Sequence, residues 1–315
     1  MAGGLRLVAV ADPDPRRRAI VGPDVRKADN WRELVDADDV DALIVATPSV
    51  SHADIGIAVL QGGKHLLLEK PIALTMEESA RLCAEARMSD RVACVGLHLR
   101  HLRQVRKLRD LIRLCGDVSG GTSCYNNHLS RRNTVSGYER TRATGGGVLY
   151  DLAYHHFDLY SFLFDSPAVA VECHLDSRIT EDDVAFTLVT LANGVRIAGS
   201  FSSTSYNENH LHVYGTRARL SFDMYRTTRP RLRHVSETNA ARLWNELMDG
   251  VLSLGMCVNV LPSRKIQPFV DQLRAFRARI LGNASSMPSI EVGATALRLV
   301  LAAYRSAEEG REITL

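Results

Sequence analysis

The sequence predicts an α/β protein in two parts, a parallel-sheet domain followed by an α+β domain with an antiparallel sheet. Three observations carry this. Short apolar runs alternate with helical patterns from Leu5 to Gly96, as parallel strands joined by helices do. From Ala168 to Asp223 strand patterns follow one another across short turns, which implies antiparallel pairing. The 315 residues are 45% apolar, 24% charged and 6% aromatic, ordinary globular proportions in a chain long enough for two cores.

The elements follow in order. Leu5–Ala11 is a compact apolar run closed by Asp12-Pro13-Asp14-Pro15, a buried strand and a turn. Trp31–Asp36 reads as a short helix, and Asp41–Thr47 as a second strand stopped by Pro48. His52–Gln61 is helical and ends at Gly62-Gly63, which suits a C-cap. Lys64–Glu69 is a third strand. Thr75-Met76-Glu77-Glu78 is a capping box that opens a helix to Met88, and Arg91–Gly96 is a fourth strand. His98–Leu114 reads as one long Arg-rich helix with an apolar face and a solvated charged face that includes Arg100. Gly145-Gly146-Gly147 leads into a helix from Val148 to Phe164. Four or five strands fill Ala168–Asp223, with Ala192-Asn193-Gly194-Val195 as a hairpin signal, and Val292–Glu309 is a closing helix.

Composition excludes several functions. The 39 basic and 36 acidic residues leave a net charge of +3, without the footprint of a nucleic-acid binder. No apolar run reaches the roughly 18 residues of a membrane span. The six cysteines are scattered and none forms a CxxC pair, so neither a structural zinc site nor a disulfide framework is expected. A cytoplasmic protein is expected.

Two constellations carry chemistry. Glu69-Lys70-Pro71 sits where a parallel strand ends, the place where sites gather in open α/β sheets. A half-desolvated lysine there can hold a proton; equally, it can be a surface lysine that begins a loop. Asp151 and His155 are four apart on a helix and share one face. A carboxylate beside an imidazole makes a general acid–base for alcohol–ketone chemistry, although a capping or core-satisfying pair has the same spacing. No third ligand stands at fixed spacing, so no metal is expected.

The segments resemble the GFO/IDH/MocA oxidoreductase family. Val8–Asp14 resembles its second strand and acidic turn, and Thr47-Pro48-Ser49-Val50-Ser51-His52 its TP-x-x-x-H segment. Gly63-Lys64-His65 with Glu69-Lys70-Pro71 resembles its GKHV-x-x-EKP signature. Gly146–Asp158 resembles GG-x-L-x-D-x-G-x-H-x-x-D, with Ala153 in place of glycine, and Gly215–Leu220 resembles GT-x-G-x-L. The resemblance implies a Rossmann-like dinucleotide-binding domain at 1-96. It implies a substrate and oligomerisation domain with an open, mainly antiparallel sheet at 97-315. It also implies NAD- or NADP-linked hydride transfer at a sugar or cyclitol carbon, in a homodimer or homotetramer. Lys70 would orient the substrate hydroxyl, His155 would move its proton, and Asp151 would bond to substrate or to His155. Asp12, Thr47, Pro48, His52, Glu69 and Lys70 would line the cofactor. Asp12 favours NAD, while Arg16-Arg17-Arg18 could take a 2′-phosphate. Asn126, Asn127, His128, Arg131 and Arg132 fall where the family builds its substrate wall.

The family pattern also implies a strand, a GxGxxG turn and a helix ahead of Leu5–Ala11, where this sequence has Met1-Ala2-Gly3-Gly4. Such a unit would supply a central strand and the pyrophosphate-binding amides. Without it the sheet is expected to re-close with Leu5–Ala11 beside Asp41–Thr47, or to take a strand from a partner or from sequence upstream of Met1. The second functional expectation is a family member without redox turnover, a lyase, isomerase or cyclase using Lys70 and His155, or a binding subunit.

Overall fold

The computed structural model describes residues 3–128, 141–224, 229–236, 238, 240, 243–244, 247 and 262–315. These form two compact units, one of residues Met1–Leu97 with Phe269–Thr295, the other of His98–Pro268 with Ala296–Leu315.

In the first unit the strands are β1 (Ala9–Ala11), β2 (Arg26–Ala28), β3 (Ala42–Val45), β4 (His65–Glu69) and β5 (Ala93–Gly96). All pair in parallel, but in two separate sheets, β1-β2 and β3-β4-β5. Between them run α1 (Pro15–Arg18), α2 (Arg32–Val35), α3 (His52–Gln61) and α4 (Met76–Met88). The expectation that β1 re-closes beside β3 is corrected: among the described residues β1 pairs with β2 alone. Its three residues are half-buried rather than buried, β3 leaves Ile44 53% exposed, and among the described residues one edge of each strand has no ladder. The β2 strand, Arg-Lys-Ala, has no apolar run by which the sequence could announce it.

The core of this unit includes Leu67, Cys94, Phe276 and Met287. The last two come from far along the chain. Residues after Phe269, on α7 (Pro262–Ile280), and the segment to Ser289 pack here, with Val95 N donating to Pro288 O at 3.1 Å. The sequence assigned all of 97-315 to the second domain, but Phe269–Thr295 belongs with the first unit.

The second unit holds an eight-stranded sheet in the order β12-β11-β10-β6-β9-β8-β7-β13, antiparallel except for the parallel β6–β9 pair. Its strands are β6 (Val118–Asn126), β7 (Ala168–Asp176), β8 (Val184–Leu191), β9 (Arg196–Ser202), β10 (Glu208–Gly215), β11 (Ala218–Asp223), β12 (Arg231–His234) and β13 (Ile313–Thr314). One face packs on α6 (Tyr154–Phe164), where Phe157 and Phe201 meet edge-on with ring centroids 5.8 Å apart and Tyr160 bonds to Ser123. The closing helix is α8 (Ile290–Glu309).

The long helix expected over His98–Leu114 is instead a 3-10 turn His98–His101, α5 (Arg103–Ile112) and a second 3-10 turn Arg113–Cys115. The break frees Arg100 from the solvated face. It turns inward to Asp158 with Nε 2.8 Å from Oδ2 and Nη2 2.6 Å from Oδ1.

Candidate functional site

In the first unit the candidate residues occupy the carboxyl ends of parallel strands, as the handed packing of strand and helix requires. Asp12 follows β1. Its Oδ1 accepts from Asp14 N at 2.8 Å, Arg17 Nη1 lies 3.7 Å from Oδ2, and Arg18 donates to its carbonyl. Arg16 bonds to Asp14 instead, and its guanidinium holds that half-buried carboxyl down at about 2.

Thr47 and Pro48 follow β3, Glu69 ends β4 and Lys70 comes directly after it; the Lys70-Pro71 peptide is cis. His52 draws these two strand ends together. Its Nδ1 is 2.6 Å from Pro71 O and its Nε2 2.8 Å from Thr47 O. The ring is 1% exposed, and burial, with Lys70 adding to it, pushes its pKa down. His52 was expected along the cofactor; the structure makes it the tie that holds Thr47 and Pro71 in place.

Burial pushes the Glu69 carboxyl up, against the pull of Lys70 beside it. The carboxylate lies over Gly96, where a Cβ would come within 2.7 Å of Glu69 Oε1. A side chain at 96 would therefore displace Glu69 and the strand end that carries Lys70.

In the second unit Asp151 lies in a π-helical turn, Leu149–Ala153, that leads directly into α6. Such wide turns recur at functional sites. Gly147 precedes it at φ +84°, in the left-handed region, and a Cβ there would be 3.0 Å from Tyr304 Oη. His155, in the first turn of α6, is 5% exposed. His98 meets its ring edge-on at 4.8 Å and Tyr125 lies at 6.4 Å. Neither neighbour is signalled by spacing, since only the fold brings the 3-10 turn and β6 against α6. His156 turns the other way, with Nε2–H donating to Asn209 Oδ1 at 3.0 Å.

The first unit thus gathers Thr47, Pro48, His52, Glu69 and Lys70, and the second carries Asp151 and His155. Of the expected substrate wall, Asn126 closes β6, Asn127 N donates to Ser202 O at 2.9 Å, and His128 N donates to Asn207 Oδ1 at 2.6 Å. Arg131 and Arg132 lie outside the described residues. Among the described residues no helix is long and apolar enough to cross a membrane.

Comparison with known proteins gives two family matches. Residues 1–97 match the family described as oxidoreductase family, NAD-binding Rossmann fold, and residues 125–315 match its C-terminal alpha/beta domain. An inositol 2-dehydrogenase of Rhizobium meliloti is 27% identical across 98% of this chain and 92% of its own length. A 1,5-anhydro-D-fructose reductase of Ensifer adhaerens is 27% identical across 89% of this chain and 81% of its own. Among solved structures, levoglucosan dehydrogenase in complex with NADH superposes with a TM-score of 0.80 at 22% identity, covering 99% of this chain and 91% of the other.

Proposed function

The chain belongs to the GFO/IDH/MocA oxidoreductase family, and from that premise we propose that it is an NAD(P)-linked dehydrogenase or reductase of a sugar, cyclitol or sugar-like metabolite. The observation that carries the reading is the placement of its two proton-handling groups. Lys70 directly follows a parallel strand, and His155 sits in the first turn of a buried helix behind a π-turn bearing Asp151. The relatives named above are a dehydrogenase and a reductase of polyhydroxylated substrates, and the alternative without redox turnover finds no support among them.

The strand ends fit the nucleoside parts of a dinucleotide. Asp12 offers a carboxylate to ribose hydroxyls, which favours NAD, while Arg17 beside it offers charge to a 2′-phosphate. Thr47 and Pro48 follow β3, and His52 ties that strand end to Pro71. Gly3 and Gly4 do not form a phosphate cradle although both have positive φ. A Cβ on Gly3 would lie 2.7 Å from Leu273 Cβ, and one on Gly4 would lie 3.1 Å from Arg277 Cδ, so these glycines serve packing on α7. No described turn from a parallel strand into a helix is glycine-rich.

A bound nicotinamide supplies the hydride acceptor or donor. The Lys70 ammonium donates to the substrate oxygen and stabilises the alkoxide charge that develops there. His155 takes the hydroxyl proton at a ring nitrogen on oxidation and returns it on reduction. Asp151 hydrogen-bonds to the substrate or orients the imidazole. Copies associate through the outer sheet face, where Phe186 and Tyr214 stand exposed; a monomeric mass by light scattering contradicts this part.

The test is nicotinamide reduction across a panel of polyols and anhydrosugars with NAD and with NADP. Turnover with at least one is expected, falling roughly 10²- to 10⁴-fold in Lys70→Ala and in His155→Ala. Full turnover in either variant would contradict the assignment.

A further inference from the structure

The outer face of the eight-stranded sheet carries a group that the oxidoreductase reading leaves unused. Alternation along the strands sends Ser123 and Asn209 to the face covered by α6, where they bond to Tyr160 and His156. Their neighbours Cys124, Asn126, Glu208 and His210 therefore stand on the opposite face. In the β6–β10 ladder Cys124 lies directly across from His210, and Asn126 across from Glu208. Cys124 Sγ, a carboxylate oxygen of Glu208 and a ring nitrogen of His210 all lie within 4.8 Å of one another. The Sγ–Oε2 distance is 3.9 Å. Cys124 is buried, and the other two are half-buried.

We propose that Cys124, Glu208 and His210 ligate a divalent transition metal, with zinc the ion best matched. Thiolate, imidazole and carboxylate are zinc's three protein donors. Bonds of about 2.0–2.3 Å set tetrahedral ligand atoms roughly 3.3–3.8 Å apart, so the cluster closes on one ion with side-chain shifts of about an ångström. A second observation points the same way. Asn126, 8% exposed, has its Oδ1 buried without a hydrogen-bond partner, one pleat along from Cys124 on the same face. A buried acceptor left unmet is costly, and the fourth coordination position, filled by that oxygen or by a water bonded to it, gives it a use. Asp223 opposes His210 on β11, placed by register for the ring's other N–H. Burial, then Glu208, then Asp223 push the Cys124 thiol up to about 12, and a bound cation reverses that electrostatic opposition. The ion would fasten β6 to β10 on the side away from α6.

Zinc alone, titrated calorimetrically into the chelator-treated full chain, is expected to bind at one equivalent. Cobalt alone is expected to give a thiolate charge-transfer band. Cys124→Ser, His210→Gln and Glu208→Gln should each weaken zinc binding at least tenfold, and the first should abolish the band. Circular dichroism of each variant checks that it folds, and Glu208→Gln leaves the buried thiol intact. Absence of saturable one-equivalent binding overturns the proposal, as does parent-like binding in any folded variant.

Discussion

Adjacent on α6, His155 and His156 enter different surroundings and take different parts. His156 is fully buried against Phe201 and bonds to Asn209, and burial pushes its pKa down to about 4. Folded, it stays neutral; unfolded, it takes a proton below its ordinary value of about 6.5. Its contribution to stability is therefore complete above about pH 6.5 and is lost as the pH falls toward 4, by up to about 3 kcal/mol. Urea denaturation at pH 7.5 and pH 5 should show this loss, and His156→Leu should flatten that part of the profile. The motif residues were legible because they are local: Glu69-Lys70-Pro71 marks the end of β4, and Asp151 and His155 lie four apart where the π-turn runs into α6. The company they keep was not legible. His98 reaches His155 from a 3-10 turn more than fifty residues earlier, and His52 proves to be a tie between two loops.

Elements with short-range signals read correctly, and those held by long-range pairing did not. The α4 helix announces itself by its capping box: Glu78 N donates to Thr75 Oγ1 at 3.1 Å, and Thr75 N donates to Glu78 Oε2 at 3.2 Å. The β6 strand, Val-Ser-Gly-Gly-Thr-Ser-Cys-Tyr-Asn, has little of a strand's composition. It exists because β9 and β10 pair with it on both sides and approach closely. A Cβ on Gly120 would meet Arg196 O at 2.6 Å, and one on Gly121 would meet His212 O at 2.6 Å. The metal cluster was invisible for the same reason, since register and not spacing joins Cys124 to His210. The Arg100–Asp158 pair likewise joins two elements. Asp158 is 4% exposed; burial pushes its carboxyl up, and the two-pronged guanidinium pulls it back. Asp158→Asn should leave Arg100 poorly paired and destabilise the protein by about 3–5 kcal/mol, whereas the double variant Arg100→Met, Asp158→Leu should recover most of that loss. Denaturation midpoints read both.

For the whole molecule, the sequence order of strands and helices announced a parallel-strand part followed by a mainly antiparallel sheet. It did not give the return of Phe269–Thr295 to the first unit. Phe276 and Met287 carry no mark of which core they fill, and apolar side chains satisfy either. Nor did it show that β1 and β3 would stay in separate sheets, since strand patterns say which segments are extended and not which edges meet. Function sits on this framework as groups at strand ends and at a helix start, and the chemistry attributed to them is hydride transfer. The most direct test supplies a polyol accepted by the enzyme with deuterium on its carbinol carbon and analyses the reduced nicotinamide by mass spectrometry. The deuterium is expected on the nicotinamide ring in each turnover; substrate conversion with the deuterium lost to water and no reduced nicotinamide formed would contradict hydride transfer.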